Sequence, residues 1–123
     1  MTERKELILA ALKKKMQETL PPNSRGVLYG SQARGDEHAE SDWDIHILVP
    51  GKESLTFEEI GKYARPLEEL GWDLNECFSV MVYSHEGWEK RKFLPFYKNV
   101  ENDKIILFHS TYDSNSGRKK SNS

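Results

Sequence analysis

Apolar residues along the chain change from helical spacing to strand-like runs and back, which predicts alternating helices and strands. Residues 2–20 place an apolar side chain at every fourth position, the spacing of one helical face, and two prolines at 21–22 end that helix. The apolar positions of its face are Ile8, Leu12, Met16 and Leu20. Four shorter apolar runs predict strands at residues 26–29, 42–49, 74–83 and 105–108.

The second half of the chain carries clear signals for where helices begin and end. Thr56-Phe57-Glu58-Glu59 has the form of a capping box and predicts the start of a helix that stops at Gly71. Pro66, inside this helix, is expected to kink or divide it. Ser84 is expected to cap a short helix, and residues 94–100 predict another helical turn or two. This order of elements predicts an α/β (α+β) domain with a small mixed β-sheet flanked by helices.

A glycine-containing turn follows the first predicted strand, in the stretch Gly30-Ser31-Gln32-Ala33-Arg34-Gly35. If residues 33–37 form one helical turn, the backbone N–H groups and the Ser31 hydroxyl face the positive end of a helix dipole, which favours phosphate groups. Glycine lets the backbone come close to such a ligand. Gly30 and Ser31 are therefore candidate nucleotide-binding residues.

Two carboxylates open the second predicted strand. Asp42 and Asp44 lie two positions apart, so both side chains project from one face with Cα atoms about 6.7 Å apart. Magnesium is commonly bound by one or two carboxylates together with substrate phosphates. The pair therefore predicts a Mg²⁺ site beside the turn. The residues then expected to face the core are Trp43, Ile45, Ile47 and Val49.

Gly30-Ser31, ten intervening residues and Asp42-Trp43-Asp44 resemble the signature of the polymerase-β-like nucleotidyltransferases, in particular the minimal, stand-alone type. The resemblance extends over roughly residues 26–107. It implies the polymerase-β-like nucleotidyltransferase fold. In that family the Gly-Ser turn binds a nucleoside triphosphate and the two aspartates bind magnesium.

The resemblance also implies a reaction. A nucleoside monophosphate, here AMP from ATP, would be transferred to a hydroxyl acceptor with release of pyrophosphate, and Asp42 and Asp44 would be catalytic as well as metal-binding. Some minimal members are antitoxins that adenylylate a partner toxin of the HEPN helical-bundle class. A HEPN-like partner protein is therefore expected as the acceptor.

The family pattern has a third carboxylate on a later strand, and this sequence departs from it. Ser79 stands in that place when the run that ends at Tyr83-Ser84 is aligned. Glu76 has the opposite strand parity and would need a β-bulge to face the two aspartates. Because the third acid usually helps to activate the attacking hydroxyl, Ser79 puts efficient transfer in doubt but not nucleotide or metal binding.

Three polar residues near the motif keep two interpretations each. Arg34 either binds phosphate oxygens or forms a surface salt bridge with Asp36 or Glu37. Ser41 either supports the nucleotide or caps a turn, and both residues are kept as candidate nucleotide-binding residues. His46 shares a strand face with the aspartates and either approaches the site or lies on this polar face without a role, and the second is expected. The aromatic residues expected in the core are Trp72, Trp88, Phe93, Phe96 and Tyr97.

Size and composition limit the domain organisation, the partners and the location that are expected for this protein. The 123 residues predict one nucleotidyltransferase domain over residues 1–109 and a flexible polar tail over 110–123. A net charge of −2 makes a nucleic-acid partner unlikely, and no apolar run is long enough for a membrane partner. The single cysteine, Cys77, is expected to be buried, and a cytoplasmic location follows from the lack of a disulfide and of a secretory signal.

Three functions stay open at this point. The first is a magnesium-dependent transferase that uses ATP and modifies a hydroxyl group on a partner protein, with a small molecule or an RNA end as the less favoured acceptors. The second is a degenerate, antitoxin-like module that binds nucleotide or a partner with little turnover, which Ser79 would explain. The third is a subunit that assembles with a helical-bundle partner, since so short a chain has no room for an acceptor domain of its own.

Overall fold

The computed structural model describes residues 2–38 and 40–111, which form four strands and five helices. The predicted tail lies outside the described residues from position 112 onward. The helices are α1 (Glu3–Thr19), α2 (Ser31–Arg34), α3 (Phe57–Asp73), α4 (His85–Glu89) and α5 (Pro95–Asp103). The strands are β1 (Arg25–Tyr29), β2 (Trp43–Val49), β3 (Phe78–Ser84) and β4 (Ile105–His109).

The four strands form one mixed sheet in the order β3-β2-β1-β4. β1 pairs antiparallel with both β2 and β4, whereas β2 and β3 run parallel and are joined by the crossover helix α3. Helices cover both faces of this sheet. The predicted α/β (α+β) architecture, a small mixed sheet flanked by helices, is therefore confirmed.

One face of the sheet packs against α1 and α3 and holds most of the core. The predicted inward residues of β2 are buried there, with Ile45, Ile47 and Val49 fully inaccessible. The apolar face of α1 also lies in this core. α1 begins after the cap Thr2 and ends before Leu20, as the spacing predicts.

The opposite face of the sheet is covered by α4 and α5, the two short helices that the sequence predicts after Ser84 and at residues 94–100. The strand pattern did not predict that they pack on this face. These helices bury Trp88 and Val100 against Val27 and Leu48, forming a second core. His46 lies among them with its ring centroid 4.0 Å from that of Trp88. The expectation of a polar, solvent-facing His46 is wrong, because α4 closes over this part of the strand.

Three details of α3 and β3 differ from the sequence expectations. α3 is continuous through Pro66, which costs it one backbone hydrogen bond but does not divide it. Gly71 lies inside the helix and not at its end. A side chain is disfavoured at this position because a Cβ atom would meet the Phe78 ring. β3 begins at Phe78 and not at residue 74, since residues 74–76 close the end of α3 by bonding to its last carbonyls.

The aromatic residues divide between core and surface. Trp88, Phe96 and Tyr97 pack in the second core as expected. Trp72 and Phe93 are 76% and 72% exposed, so the expectation that they are buried is wrong. None of the described helices is both long and apolar enough to span a bilayer.

We predict that acid destabilises the fold through His46. Burial, together with the nearby Arg25 charge, lowers the pKa of His46 to about 3, and the ordinary value near 6.5 applies when the chain is unfolded. Because the folded pKa is the lower one, stability is complete above about pH 6.5 and falls by about 1.4 kcal/mol per pH unit below it. Urea unfolding at pH 7, 6 and 5 measures this slope.

His46→Leu serves as the control variant, since it keeps an apolar side chain of similar size and removes the titrating group. Its stability should change little between pH 6.5 and 5. Glu101, whose pKa is held at about 2 by Arg25 and Trp88 despite its burial, adds acid sensitivity only below its ordinary value near 4.5. Equal slopes for the variant and the parent protein above pH 5 would contradict the assignment to His46.

Candidate active site

The turn after β1 is built around Gly30. Its φ of 78° and ψ of −160° lie in a region that is almost restricted to glycine. The amides of Ala33 and Arg34 each donate to the Gly30 carbonyl at 3.0 Å, which starts α2 directly after the strand. Since glycine has no side chain with which to cap this helix, a ligand can occupy the space in front of its first amides.

Gly30 packs directly against the Asp44 carboxylate. A Cβ atom placed at Gly30 would collide with Oδ2 of Asp44, so a side chain here would displace that carboxylate. The contact arises from the sheet register, in which Tyr29 pairs with Asp44. The strand pairing therefore brings the predicted phosphate turn and one predicted metal ligand together.

The two aspartates lie close enough to influence each other. Burial and the negative charge of Asp42 raise the pKa of Asp44, while the positive charge of Arg34 opposes this shift. Asp42 is exposed and Asp44 is partly buried. Two neighbouring carboxylates without a bound cation repel each other, which is the electrostatic setting that a divalent cation relieves.

The structure places Ser79, the residue predicted to stand where the family has a third carboxylate, next to Asp44. Ser79 pairs with Asp44 across the parallel β2–β3 ladder, whose register is continuous from Trp43 to Val49. Residues in register on adjacent strands face the same side, so Ser79 lies beside Asp44. Within residues 2–38 and 40–111, no group of three or more His, Cys, Asp or Glu side chains has the geometry to hold a metal ion.

Glu76 does not replace the missing acid. Its Oε1 accepts a hydrogen bond from the Trp43 indole at 3.0 Å, and its Oε2 accepts one from Arg4 Nη2 at 2.8 Å. The β-bulge that would turn Glu76 toward the aspartates is absent from the pairing of β2 with β3. Glu76 instead links α1 to the start of β2.

Arg34 and Ser41 form local contacts. Arg34 Nη1 donates to Asp103 at 2.6 Å and its Nε donates to Asp36 at 3.1 Å, which ties α2 to the end of α5. The Ser41 hydroxyl accepts a hydrogen bond from the His38 amide at 2.9 Å, as a turn-capping serine does. Of the two interpretations for each residue, the structure displays the salt bridge and the turn cap.

Two residues near the site were missed or misplaced by the sequence analysis. Burial, followed by the charges of Asp44 and Tyr83, raises the pKa of Tyr29 to about 12. Cys77 is exposed and not buried as expected, and hydrogen bonding to Asp42 raises the pKa of its thiol. Tyr29 and Cys77 lie outside the Gly-Ser and Asp-x-Asp motif, so only the strand register could have revealed that they neighbour the two aspartates.

The family of the chain follows from comparison with known proteins. A family model described as a nucleotidyltransferase domain matches residues 9–108, which is most of the chain. The chain belongs to this family. The resemblance seen in the sequence is thereby confirmed at the level of the family, and membership supports nucleotidyl transfer in general as the activity.

Three solved structures are similar in fold. A putative nucleotidyltransferase from Sulfolobus solfataricus has a TM-score of 0.60 and 20% identity, with 87% of this chain and 85% of that chain covered. A toxin–antitoxin crystallised with AMP-PNP has a TM-score of 0.61 and 18% identity, with 85% of this chain and 76% of that chain covered. A mutant of the toxin–antitoxin MntA-HpeT has a TM-score of 0.59 and 15% identity, with 85% of this chain and 75% of that chain covered. No curated protein matches the chain.

We predict that Gly30→Ala disrupts this site, whereas Gly35→Ala does not. Both glycines have positive φ, 78° and 83°, so both alanines are strained by about 1 kcal/mol or more. Only at position 30 does the new methyl group meet the Asp44 carboxylate, since nothing lies within 4 Å of a Cβ at Gly35. Calorimetric titration with ATP and Mg²⁺, alongside thermal melting, compares the two variants.

Binding should be lost in Gly30→Ala and retained in Gly35→Ala, with the larger drop in melting temperature for Gly30→Ala. Loss of binding in both variants would indicate general damage to the turn. Retention in both would show that Gly30 is not needed next to Asp44.

Proposed function

We propose that this chain is a magnesium-dependent nucleotidyltransferase that transfers AMP from ATP to a hydroxyl group on a partner protein. The observation that carries the proposal is the direct contact between the Gly30 turn and the Asp44 carboxylate, with Asp42 beside it. A phosphate-binding turn and a pair of carboxylates are what a metal-bound triphosphate requires.

Each residue has a proposed role. Asp42 and Asp44 would hold Mg²⁺, whose bound form neutralises the triphosphate and stabilises charge on the leaving group. The amides of the Gly30–Ser31 turn would contact the phosphate oxygens. Arg34 would contribute positive charge from its place at the end of α2, and Ser41 would fix the loop that leads to Asp42.

The reaction is an in-line displacement at the α-phosphorus of ATP. The acceptor oxygen forms a bond to that phosphorus, the bond to the pyrophosphate oxygen breaks, and the hydroxyl proton passes to a base or to water. Asp44 is the carboxylate in register with Ser79. Without a third carboxylate, proton removal depends on Asp44 or on solvent.

A protein acceptor, rather than a small molecule, is favoured by two observations. The described domain has no separate unit that could bind a second substrate. Two of the similar structures are toxin–antitoxin assemblies, one of them with AMP-PNP, which supports a protein partner and an adenine nucleotide for this chain. We extend the proposal to a HEPN-like helical-bundle partner.

A second candidate function rests on Ser79. A module with two of three carboxylates would bind nucleotide, or the partner, and turn over slowly. A serine in register with Asp44, where the family pattern would have a carboxylate, favours this alternative over a purely structural subunit.

Metal dependence is the first test of the proposal. ATP should bind weakly without Mg²⁺ and more tightly with it, because Asp42 and Asp44 repel the phosphates when no cation is present. Combining Asp42→Asn with Asp44→Asn should abolish this difference and leave the fold intact, since both side chains reach solvent. Calorimetric titration of the parent and the double variant, with and without Mg²⁺, provides the comparison.

Two results would contradict the proposal. Equal affinity of the parent protein with and without magnesium would remove the metal-bridged site. Unfolding of the double variant would make the two aspartates structural instead of metal-binding.

Restoring a carboxylate at position 79 separates the transferase from the degenerate module. Ser79→Asp should raise the rate of transfer to a candidate partner protein, since general-base assistance is typically worth about 10² to 10⁴ in rate. A third negative charge also lowers the stability of the metal-free protein, so this variant should melt lower without Mg²⁺ and gain more when Mg²⁺ is added. Release of pyrophosphate and thermal melting are the two measurements.

Ser79→Asn is the matched control, because it has the size of aspartate without its charge. It should show neither the gain in rate nor the magnesium-dependent rise in melting temperature. If Ser79→Asp and Ser79→Asn behave alike, position 79 is not the site of the missing acid.

A further inference from the structure

β3 is an edge strand without the features that usually protect an edge. Its seven residues, Phe78–Ser84, pair with β2 on one side only. The strand contains no proline, glycine, lysine or other charged residue. Natural proteins usually blunt such edges with these residues, with bulges or with a covering helix, since an open edge is a template for another strand.

Backbone N–H and C=O groups of β3 point away from the sheet at alternate residues. The Trp43 amide donates to the Cys77 carbonyl at 2.9 Å, which fixes the direction of the backbone groups at Cys77 toward β2. Backbone groups alternate in direction along a strand, so those of Val80 and Val82 point away from β2. Within residues 2–38 and 40–111, neither Val80 nor Val82 forms a backbone hydrogen bond with a turn, a loop or a helix cap.

A groove runs beside this strand on the side of α3. Its larger part, about 880 Å³, lies between Val80 and the α3 residues Ile60, Gly61 and Ala64. A smaller part, about 180 Å³, continues past Val82 and shares Ile60 with the first. Val80 and Val82 face α3, so alternate side chains of an added strand would enter this groove.

Gly61 makes the groove deep. A Cβ atom at this position would come no closer than 3.7 Å to the Arg65 guanidinium and meet nothing else nearby. Unlike Gly30 and Gly71, Gly61 is therefore not required by packing within the chain. A larger side chain fits at Gly61 without disturbing the core, and it would fill the groove.

The rim of the groove has an excess of negative charge. Four glutamates and two basic residues of α3 line the larger part of the groove, and the smaller part adds one residue of each charge, Glu53 and Arg91. The acidic residues of the larger part are Glu58, Glu59, Glu68 and Glu69, and its basic ones are Lys62 and Arg65. A second copy of the chain, related by a two-fold axis, would present the same acidic face, and the like charges would oppose self-association. A partner with basic residues is therefore the better electrostatic match for this groove.

We propose that an extended segment of a partner protein, β-branched in its centre and flanked by lysine or arginine, adds to the sheet as a strand beside β3. Main-chain hydrogen bonds would form with Val80 and Val82, and alternate side chains would fill the groove along α3. Basic flanking residues would meet the α3 glutamates. This docking surface is separate from nucleotidyl transfer and needs neither ATP nor magnesium.

The test uses a phage-displayed library of random peptides of about ten residues, selected on the purified protein without nucleotide or metal. A synthetic copy of the most enriched peptide is then titrated against the parent protein, Gly61→Leu and Gly61→Ala. Gly61→Leu should weaken binding about tenfold or more because its side chain fills the groove. Gly61→Ala should bind as the parent does, and both variants should melt higher because glycine is a poor helix former.

Hydrogen exchange locates the bound peptide. The proposal expects enriched peptides to be basic at their ends, to protect the amides of Val80 and Val82, and to bind less tightly to a Glu58→Lys, Glu69→Lys double variant. Four results would overturn it: no enrichment, enrichment of acidic peptides, equal binding to Gly61→Leu, or protection at β4 instead of β3. Dimerisation of the free protein through β3 in sedimentation would also overturn it, in favour of a second copy.

Discussion

The contact between Gly30 and the Asp44 carboxylate is the constraint on which the candidate site depends. A side chain at Gly30 would displace the Asp44 carboxylate, so the close approach of the end of β1 to the start of β2 depends on this glycine. The antiparallel register that pairs Tyr29 with Asp44 is therefore a requirement of the site as well as of the sheet. A one-residue slip would turn Asp44 to the other face, away from the turn. In the proposed site, sheet pairing and nucleotide binding thus depend on the same few atoms.

The helices on the site face limit what remains open to a substrate. Arg25 on β1 donates to both carboxylate oxygens of Glu101 on α5, at 3.1 and 2.9 Å, and Trp88 on α4 donates to the same group at 2.7 Å. This network holds α4 and α5 over the end of the sheet that carries His46. The Arg34–Asp103 bridge then joins α5 to the turn. The start of β2, with Asp42 and Asp44, is left uncovered and accessible.

Local signals in the sequence predicted local structure well. The capping box at Thr56 and Glu59 forms with both hydrogen bonds, at 2.8 and 3.1 Å, because it depends only on residues three apart. The pairing of the turn with the two aspartates was also predictable, since strand alternation fixes which side chains share a face. What could not be predicted depends on distant residues. The sequence left Glu76 a route to the aspartates through a β-bulge, yet its carboxylate is engaged by Arg4, 72 positions away. His46 looked solvent-facing, because no local pattern shows that α4 returns to cover β2.

The central claim is that Asp42 and Asp44 hold a divalent cation in front of the Gly30 turn. Paramagnetic broadening of backbone amide signals by Mn²⁺, which substitutes for Mg²⁺ at oxygen-ligand sites, tests it most directly, in the presence and absence of ATP. The account predicts that Mn²⁺ with ATP broadens the signals of Gly30, Ser31, Asp44 and Ser79 most strongly and that of Thr19, at the end of α1 far from Arg4 and Glu76, least. Unchanged signals at Gly30 and Asp44, or broadening centred on the α3 glutamates, would contradict it.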